Sequence, residues 1–317
     1  MIRRYLLWLL LGMGLANAPA AGDGISLPLL SPRTPVDAKI ADRWSWNPGG
    51  GAPLRPLAID AHPTGVIAGI EVRRHRIFLT GADGGWIGFA ELPPGQLRFG
   101  FFEHLFARSG LHVFALDPEQ WIIDSFDLRG AWVGRLDLEE TGDEIGDPSG
   151  FCLDRSGDLY VLDAARGRIL TFNRQGMPLR TLEAWADWQP TSPIDLEIDG
   201  QGRLYLLESR PPLIHIIDTS GQRIGQAPLA PESEPVAMAV DTWGNAFVAD
   251  GARGDIHVLP AGEGEAWWIG RAEDEDWEAS DLAIAESNRL LVADASHACV
   301  WVFSLRYDDP ETRPRAR

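Results

Sequence analysis

The chain has 317 residues, and 46 acidic against 28 basic side chains give it a formal net charge of −18. A chain this acidic repels phosphate backbones, so nucleic acid is excluded as an expected partner, while proteins, cationic ligands and neutral small molecules remain open. The length suits one large all-β domain.

The chain begins with the features of a secretory signal peptide. Arg3 and Arg4 precede an apolar run over residues 5–15, and small residues follow as far as Ala21. This order is typical of a leader removed on export, and the apolar run is short for a membrane span. We expect residues 1–21 to be a signal peptide and the mature chain to be periplasmic or secreted, without a transmembrane segment. A retained N-terminal anchor is the alternative.

The sequence between residues 62 and 306 repeats itself. A unit at 104–117 and a weaker one at 68–81 precede four fourteen-residue segments that align with one another: GFCLDRSGDLYVLD (150–163), DLEIDGQGRLYLLE (195–208), AMAVDTWGNAFVAD (237–250) and DLAIAESNRLLVAD (281–294). Each unit reads as short strands separated by turn signals, and a period of roughly 40 residues is that of a propeller blade. We predict an all-β, six-bladed β-propeller with four-stranded antiparallel blades.

The last unit has no fourth strand of its own, because a charged tail, 307–317, follows its third strand. The N-terminal segment, 22–61, contains a candidate strand within 37–46 and then the Gly- and Pro-rich stretch 48–51. We expect this N-terminal strand to close the ring, because an open ring would expose a bare strand edge.

The unit at 148–176 carries the clearest motif. Its fixed positions are Pro148, Gly150, Gly157, Leu159-Tyr160-Val161, Asp163, Arg168-Ile169, Phe172 and Gly176. This pattern resembles the NHL repeat, recognisably from about residue 100 to 306. The resemblance implies the propeller fold. It does not select a function, because the family includes scaffolds, RNA binders and a few enzymes.

Two recurrent features are expected to be structural. An acid closes the second strand of most units, and carboxylates at such turns usually cap backbone N–H groups; these acids are Asp117, Asp163, Glu208, Asp250 and Asp294. Cys152 and Cys299 lie about three blades apart, so we expect two buried, unpaired thiols rather than a disulfide.

First strands line the channel of a propeller. Their equivalent first positions are Ala68, His104, Gly150, Asp195, Ala237 and Asp281, and Glu197 follows two residues after Asp195. His104, Asp195, Glu197 and Asp281 are therefore candidates to converge at the channel mouth. Such a set can hold a divalent cation or tune a proton-transfer group. The alternative is a solvated channel rim with no role.

Metal-binding enzymes that resemble NHL propellers hold calcium with several Asn side chains, or zinc with His from several blades. Here no Asn maps to a first strand, and only His104 among the histidines fits such a position, with His62 a distant second. We therefore expect no cofactor, while a divalent cation in the channel stays open. A metal-dependent hydrolase or lyase is the alternative function.

The loops between blades combine carboxylates with tryptophans. Segments 183–193 and 270–281 carry Trp185, Trp188 and Trp277, and 137–147 carries six acids, among them Glu139, Glu140, Asp143 and Glu144. Such a rim predicts a binding or scaffold module for a protein or a cationic small-molecule ligand. We expect this exported module to be a monomer. The alternative is that the acids are solvated and the Trp rings fill gaps between blades.

Overall fold

The computed structural model describes residues 33–91, 95, 100–108, 110–139, 145–183, 188–261, 265–270 and 277–308. In these ranges the strands form six four-stranded antiparallel sheets, which confirms the predicted six-bladed β-propeller. The predicted signal peptide, 1–21, lies outside the described residues. No helix within the described ranges is long and apolar enough to cross a membrane.

The chain enters the fold with β1 (Thr34–Trp44) and then builds three blades from consecutive strands. These strands are β2 (Pro56–Ala61), β3 (Ile67–Glu71), β4 (Arg76–Thr80) and β5 (Trp86–Phe89) in blade 1; β6 (His104–Phe106), β7 (His112–Asp117), β8 (Ile122–Asp127) and β9 (Trp132–Asp137) in blade 2; and β10 (Pro148–Leu153), β11 (Leu159–Asp163), β12 (Arg168–Phe172) and β13 (Pro178–Leu182) in blade 3.

Three further blades follow in the same way. Their strands are β14 (Pro193–Ile198), β15 (Leu204–Ser209), β16 (Pro212–Ile217) and β17 (Arg223–Pro228) in blade 4; β18 (Pro235–Val240), β19 (Ala246–Asp250), β20 (Asp255–Leu259) and β21 (Trp267–Ile269) in blade 5; and β22 (Asp281–Ala285), β23 (Arg289–Asp294) and β24 (Cys299–Asp308) in blade 6.

β1 is the outermost strand of blade 6, antiparallel to β24 from Thr34 opposite Asp308 to Trp44 opposite Val300. The N-terminal segment also contacts the blades on both sides. The Trp267 indole donates to the Pro35 carbonyl at 3.0 Å, and the Trp46 indole donates to the Gly84 carbonyl at 2.7 Å. The strand order of blade 6 therefore links the two ends of the repeat region.

A short sequence code shapes the first hairpin of several blades. In blade 3 the Asp154 carboxylate accepts the N–H of Ser156 at 2.8 Å and of Asp158 at 3.0 Å, while Gly157 takes a φ of 81°. Glycine adopts this left-handed conformation at little cost. Asp199 repeats the arrangement in blade 4. In these two blades the Asp-x-x-Gly spacing therefore fixes the first hairpin turn through hydrogen bonds within the turn itself.

The acids that close the second strands are backbone caps, as predicted. The Asp117 carboxylate accepts the N–H of Glu119 and Gln120, each at 3.0 Å, and Asp163 accepts that of Gly146 and Asp147, each at 3.1 Å. All five predicted acids are buried. The two cysteines are buried free thiols, which also agrees with the prediction.

The first blade begins earlier than the repeat alignment placed it. β2 is its channel-side strand, and Ala58 there pairs with Ile70, whereas Ala68 lies on β3 opposite Asp60. The first unit is therefore 58–71 and closes on Glu71, whose carboxylate accepts two backbone N–H groups. The repeat alignment set this unit one strand too late, on β3 instead of β2, and the turn between these strands, His-Pro-Thr-Gly at 62–65, lacks the Asp-x-x-Gly spacing of blades 3, 4 and 5.

Candidate functional site

The first strands of neighbouring blades pack side by side around the ring, from β2 through β22 and back to β2. Alternate residues of a strand share one face, so two layers of side chains follow from the register. One contains Ala58, His104, Gly150, Asp195, Ala237 and Asp281, and the next contains Asp60, Phe106, Cys152, Glu197, Ala239 and Ala283. All four predicted channel residues therefore belong to these layers.

Small residues allow the strands to approach one another. A Cβ on Gly150 would lie 3.1 Å from the backbone nitrogen of Leu196 and 3.5 Å from the Cα of Asp195, on the first strand of the next blade. The 3.1 Å contact is tighter than side chains ordinarily make against backbone. Glycine at this position therefore brings β10 close enough to β14 to narrow the ring beside Asp195.

An arginine that the sequence reading missed connects the charged groups of the second layer. The guanidinium of Arg108 donates to the Glu197 carboxylate, two blades away, and to the Val240 carbonyl at 3.0 Å. Its Nε lies 3.6 Å from the Asp60 carboxylate. The side chain of Arg108 is 19% exposed, so this is a largely buried network of one cation and two carboxylates.

Asp195 and Asp281 have a structural contact in addition to any role in binding. The Asp195 carboxylate accepts the N–H of Met238 at 2.9 Å, and the Asp281 carboxylate accepts the N–H of Ile59 at 2.8 Å. Asp60 makes the same kind of bond to Ala107 at 2.7 Å. Each of these carboxylates therefore joins the first strand of its blade to that of the next.

Burial controls the protonation of the channel groups. It raises the pKa of Asp195 to about 6 and that of Glu197 to about 8, although the charge of Arg108 acts against both shifts. Burial also raises the pKa of Asp281 well above its usual range and lowers that of His104 to about 4. For Arg108, burial favours the neutral form, but Glu197 and Asp60 reverse this and raise its pKa. At pH 7 His104 is therefore neutral.

The predicted channel residues do not form a compact metal-ligand set. No three ligand atoms from His104, Asp195, Glu197 and Asp281 lie within 4.8 Å of one another, and among the described residues only Asp250, Asp255 and His257 do so. The carboxylates surround the channel without converging on one point.

A cavity of about 850 Å³ opens on the face of the ring that carries the first hairpins. Arg108 lies on its wall together with the aromatic side chains of Phe106, Trp243 and Tyr307. The Arg108 guanidinium lies 5.2 Å from the centre of the Phe106 ring. Of the charged network in the second layer, Arg108 lines this cavity. The cavity's volume is that of a small-molecule site.

The predicted Trp-bearing rim needs correction. Trp277 is fully buried between blades 5 and 6 and meets Phe303 edge to face with ring centres 6.3 Å apart. Trp188 is partly buried and stacks on the His215 ring at 4.0 Å. Trp185 lies outside the described residues. Trp277 cannot form an exposed surface, because its large apolar ring fills the space between two blades.

No protein-family model matches the chain, and no curated protein matches it. Solved structures do. A streptogramin B lyase is 13% identical over 84% of this chain and 98% of its own, with a TM-score of 0.60. A catalytically inactive virginiamycin B lyase from Staphylococcus aureus with quinupristin is 14% identical over 85% and 100%, with a TM-score of 0.59. The WD40 β-propeller domain of Doa1 is 12% identical over 84% and 97%, with a TM-score of 0.57.

These structures support the propeller fold. At such low identity they show the fold alone, and the resemblance to NHL repeats stays a prediction.

Two residues of the site were missed by sequence reasoning. Asp60 was hidden by the displaced first unit, and aligning 58–71 on its closing acid Glu71 would have found it. Arg108 follows the three-residue strand β6, and its partner Glu197 is 89 residues away. No spacing in the sequence predicts that pair.

Proposed function

We propose that the chain is an exported β-propeller that binds a small organic cation in its central channel. The observation that carries this proposal is the charge balance there. Four carboxyl groups surround the channel, those of Asp60, Asp195, Glu197 and Asp281, whereas the guanidinium of Arg108 pairs with Glu197 and Asp60. The expectation of export rests on the leader-like residues 1–21.

The raised pKa values of the carboxyl groups support a cationic ligand. Burial raises the pKa of Glu197 to about 8, so this carboxyl group holds a proton at neutral pH although Arg108 favours its ionised form. A cation placed beside it would favour the ionised form, so binding would replace protons with the ligand's charge. A positively charged ligand would therefore offset the free-energy cost of ionising the buried Glu197 carboxyl group.

The spacing of the carboxylates favours an extended amine over a bare metal ion. A metal requires ligands at about 2–2.6 Å, yet no three of these groups come within 4.8 Å of one another. A diamine can instead contact separated carboxylates. The aromatic side chains of Trp243 and Tyr307 on the cavity wall can cover its apolar chain, and the net charge of −18 draws cations to the protein.

Isothermal titration calorimetry tests the proposal with 1,4-diaminobutane and spermidine as probes and 1,4-butanediol as the neutral counterpart of the diamine. We expect both amines to bind and the diol not to bind. Glu197→Gln should weaken amine binding about tenfold or more, since hydrogen bonds to charged groups contribute about 1.5–3 kcal/mol.

Glu265→Gln makes the same charge change at an exposed position just before β21 and serves as the matched control. It should leave amine binding unchanged. Equal binding of amine and diol would contradict the proposal, as would equal losses in Glu197→Gln and Glu265→Gln.

A further inference from the structure

A second cluster of ionisable side chains lies away from the channel, in blade 5. Asp250 ends β19, Asp255 begins β20 directly opposite it, and His257 follows two residues later. One oxygen of each carboxylate and one ring nitrogen lie within 4.8 Å of one another. Within the described ranges of the chain, no other three such residues meet this closely.

Two atoms of this cluster are buried without a hydrogen-bond partner. Asp250 and His257 are 3% and 4% exposed, and neither the Oδ2 of Asp250 nor the Nε2 of His257 makes a hydrogen bond. A buried polar atom left unsatisfied costs about 1–3 kcal/mol. The other oxygen of Asp250 accepts the N–H of Ala252 at 3.0 Å and of Glu234 at 3.2 Å, which holds Oδ2 towards the histidine.

The two distances from His257 to the carboxylates match those between the ligands of a tetrahedral metal ion. The Nε2 of His257 lies 3.2 Å from the Oδ2 of Asp250 and 3.4 Å from the Oδ1 of Asp255. Charge-assisted N–H···O bonds are shorter, about 2.7–2.9 Å. Ligands bound to zinc at about 2.0–2.1 Å lie about 3.3–3.4 Å from each other in a tetrahedron.

Blade 4 shows what the same two positions do without the second carboxylate. Glu208 and His215 correspond to Asp250 and His257, and their carboxylate oxygen and Nε2 form a hydrogen bond of 2.6 Å. Leu213 stands there in the place of Asp255. In blade 4 the longer glutamate closes onto its histidine in a hydrogen bond, whereas in blade 5 the shorter Asp250 stays 3.2 Å from His257 and a second carboxylate lies beside them.

We propose that Asp250, Asp255 and His257 bind a divalent transition metal, with Zn²⁺ as the ion that fits their geometry. Two carboxylates and one imidazole are ligands that zinc accepts, and three protein ligands leave a fourth position for water or a solvent-borne ligand. The side chain of Asp255 is 19% exposed, which gives the ion a route from solvent. The backbone N–H groups on the second oxygen of Asp250 orient that ligand.

Metal analysis of the full chain, produced without a histidine tag, tests this site. The protein is stripped with a chelator, reloaded with Zn²⁺, desalted and measured by plasma mass spectrometry. We expect about one zinc per chain, because three preformed ligands retain the ion through desalting. His257→Gln and Asp255→Leu, which copies Leu213, should lose it. His215→Gln in blade 4 is the matched control and should retain it.

Circular dichroism of the metal-free variants establishes that they are folded. Co²⁺ loaded into the unaltered protein should give the intense visible absorption of four-coordinate cobalt, which needs no variant. Equal zinc in folded Asp255→Leu and unaltered protein would overturn the proposal, as would failure of the unaltered protein to retain zinc or an octahedral cobalt spectrum. Amine binding in the channel should be the same in Asp255→Leu, which separates this proposal from the proposed function.

Discussion

Replacement of Arg108 by methionine should destabilise the protein strongly. The side chain is 19% exposed and contacts Glu197 and Asp60, so at pH 9, where Glu197 is mostly ionised, its loss leaves two largely buried carboxylates without a cation. Breaking a buried ion pair from one side costs about 3–5 kcal/mol. In a domain of this size that corresponds to a fall in Tm of about 6–10 °C.

The loss of stability in Arg108→Met should depend on pH, and the pKa of Glu197 predicts at which pH the loss is larger. In the folded protein this pKa is about 8, and removal of Arg108 would raise it further because Arg108 favours the ionised form. At pH 6 the carboxyl group is protonated with or without Arg108. At pH 9 it is mostly ionised only when Arg108 is present, so Arg108→Met should be more destabilised at pH 9 than at pH 6.

Urea denaturation at the two pH values measures this difference. The double variant Arg108→Met/Glu197→Gln should recover part of the stability, because it removes a carboxylate together with its partner. A loss of unfolding free energy below about 1 kcal/mol in Arg108→Met at pH 9 would refute the assignment of a buried ion pair. A loss of equal size at pH 6 and pH 9 would refute the role given to the pKa of Glu197.

Three further predictions concern packing. Trp277→Ala should cost about 3–5 kcal/mol in chemical denaturation because the ring is fully buried, whereas Trp268→Ala, with its ring half exposed, should change stability little. Gly150→Ala should destabilise by about 1–3 kcal/mol through overpacking against the backbone of blade 4, while Gly134→Ala should not, since its Cβ would lie 3.8 Å from the nearest atom. Both cysteines are buried and have raised pKa values, so a thiol reagent should label them only after denaturation; rapid labelling of the native protein would contradict their placement.

The features that the sequence predicted well are those set by neighbouring residues. The Asp-x-x-Gly hairpins and the closing acids act through backbone N–H groups a few positions away, or at the end of the adjacent strand. The residues that shape each repeat therefore lie within that repeat or next to it, so comparison among units was enough to predict strands, turns and the number of blades. Asp163 and Asp117 are examples that needed no knowledge of the ring.

The features that sequence reasoning missed depend on contacts across the ring. Arg108 contacts Glu197 two blades away. The burial of Trp277 depends on the space left between blades 5 and 6. Composition suggested an exposed aromatic rim, but burial of a large ring is decided by packing that no local pattern records. Asp60 was missed for a different reason. The repeat alignment began the first unit at Ala68 on β3, whereas Asp60 lies on the preceding strand, β2.

The number of protons released when 1,4-diaminobutane binds distinguishes binding among the channel carboxyl groups from binding elsewhere. Calorimetric titrations at pH 7 in buffers of different ionisation enthalpy give that number. If the amine binds among the channel carboxyl groups, protons leave Glu197, and affinity increases between pH 6 and pH 8. Binding that releases no proton and does not change over this pH range would show that the amine binds elsewhere, and would contradict the account of the channel.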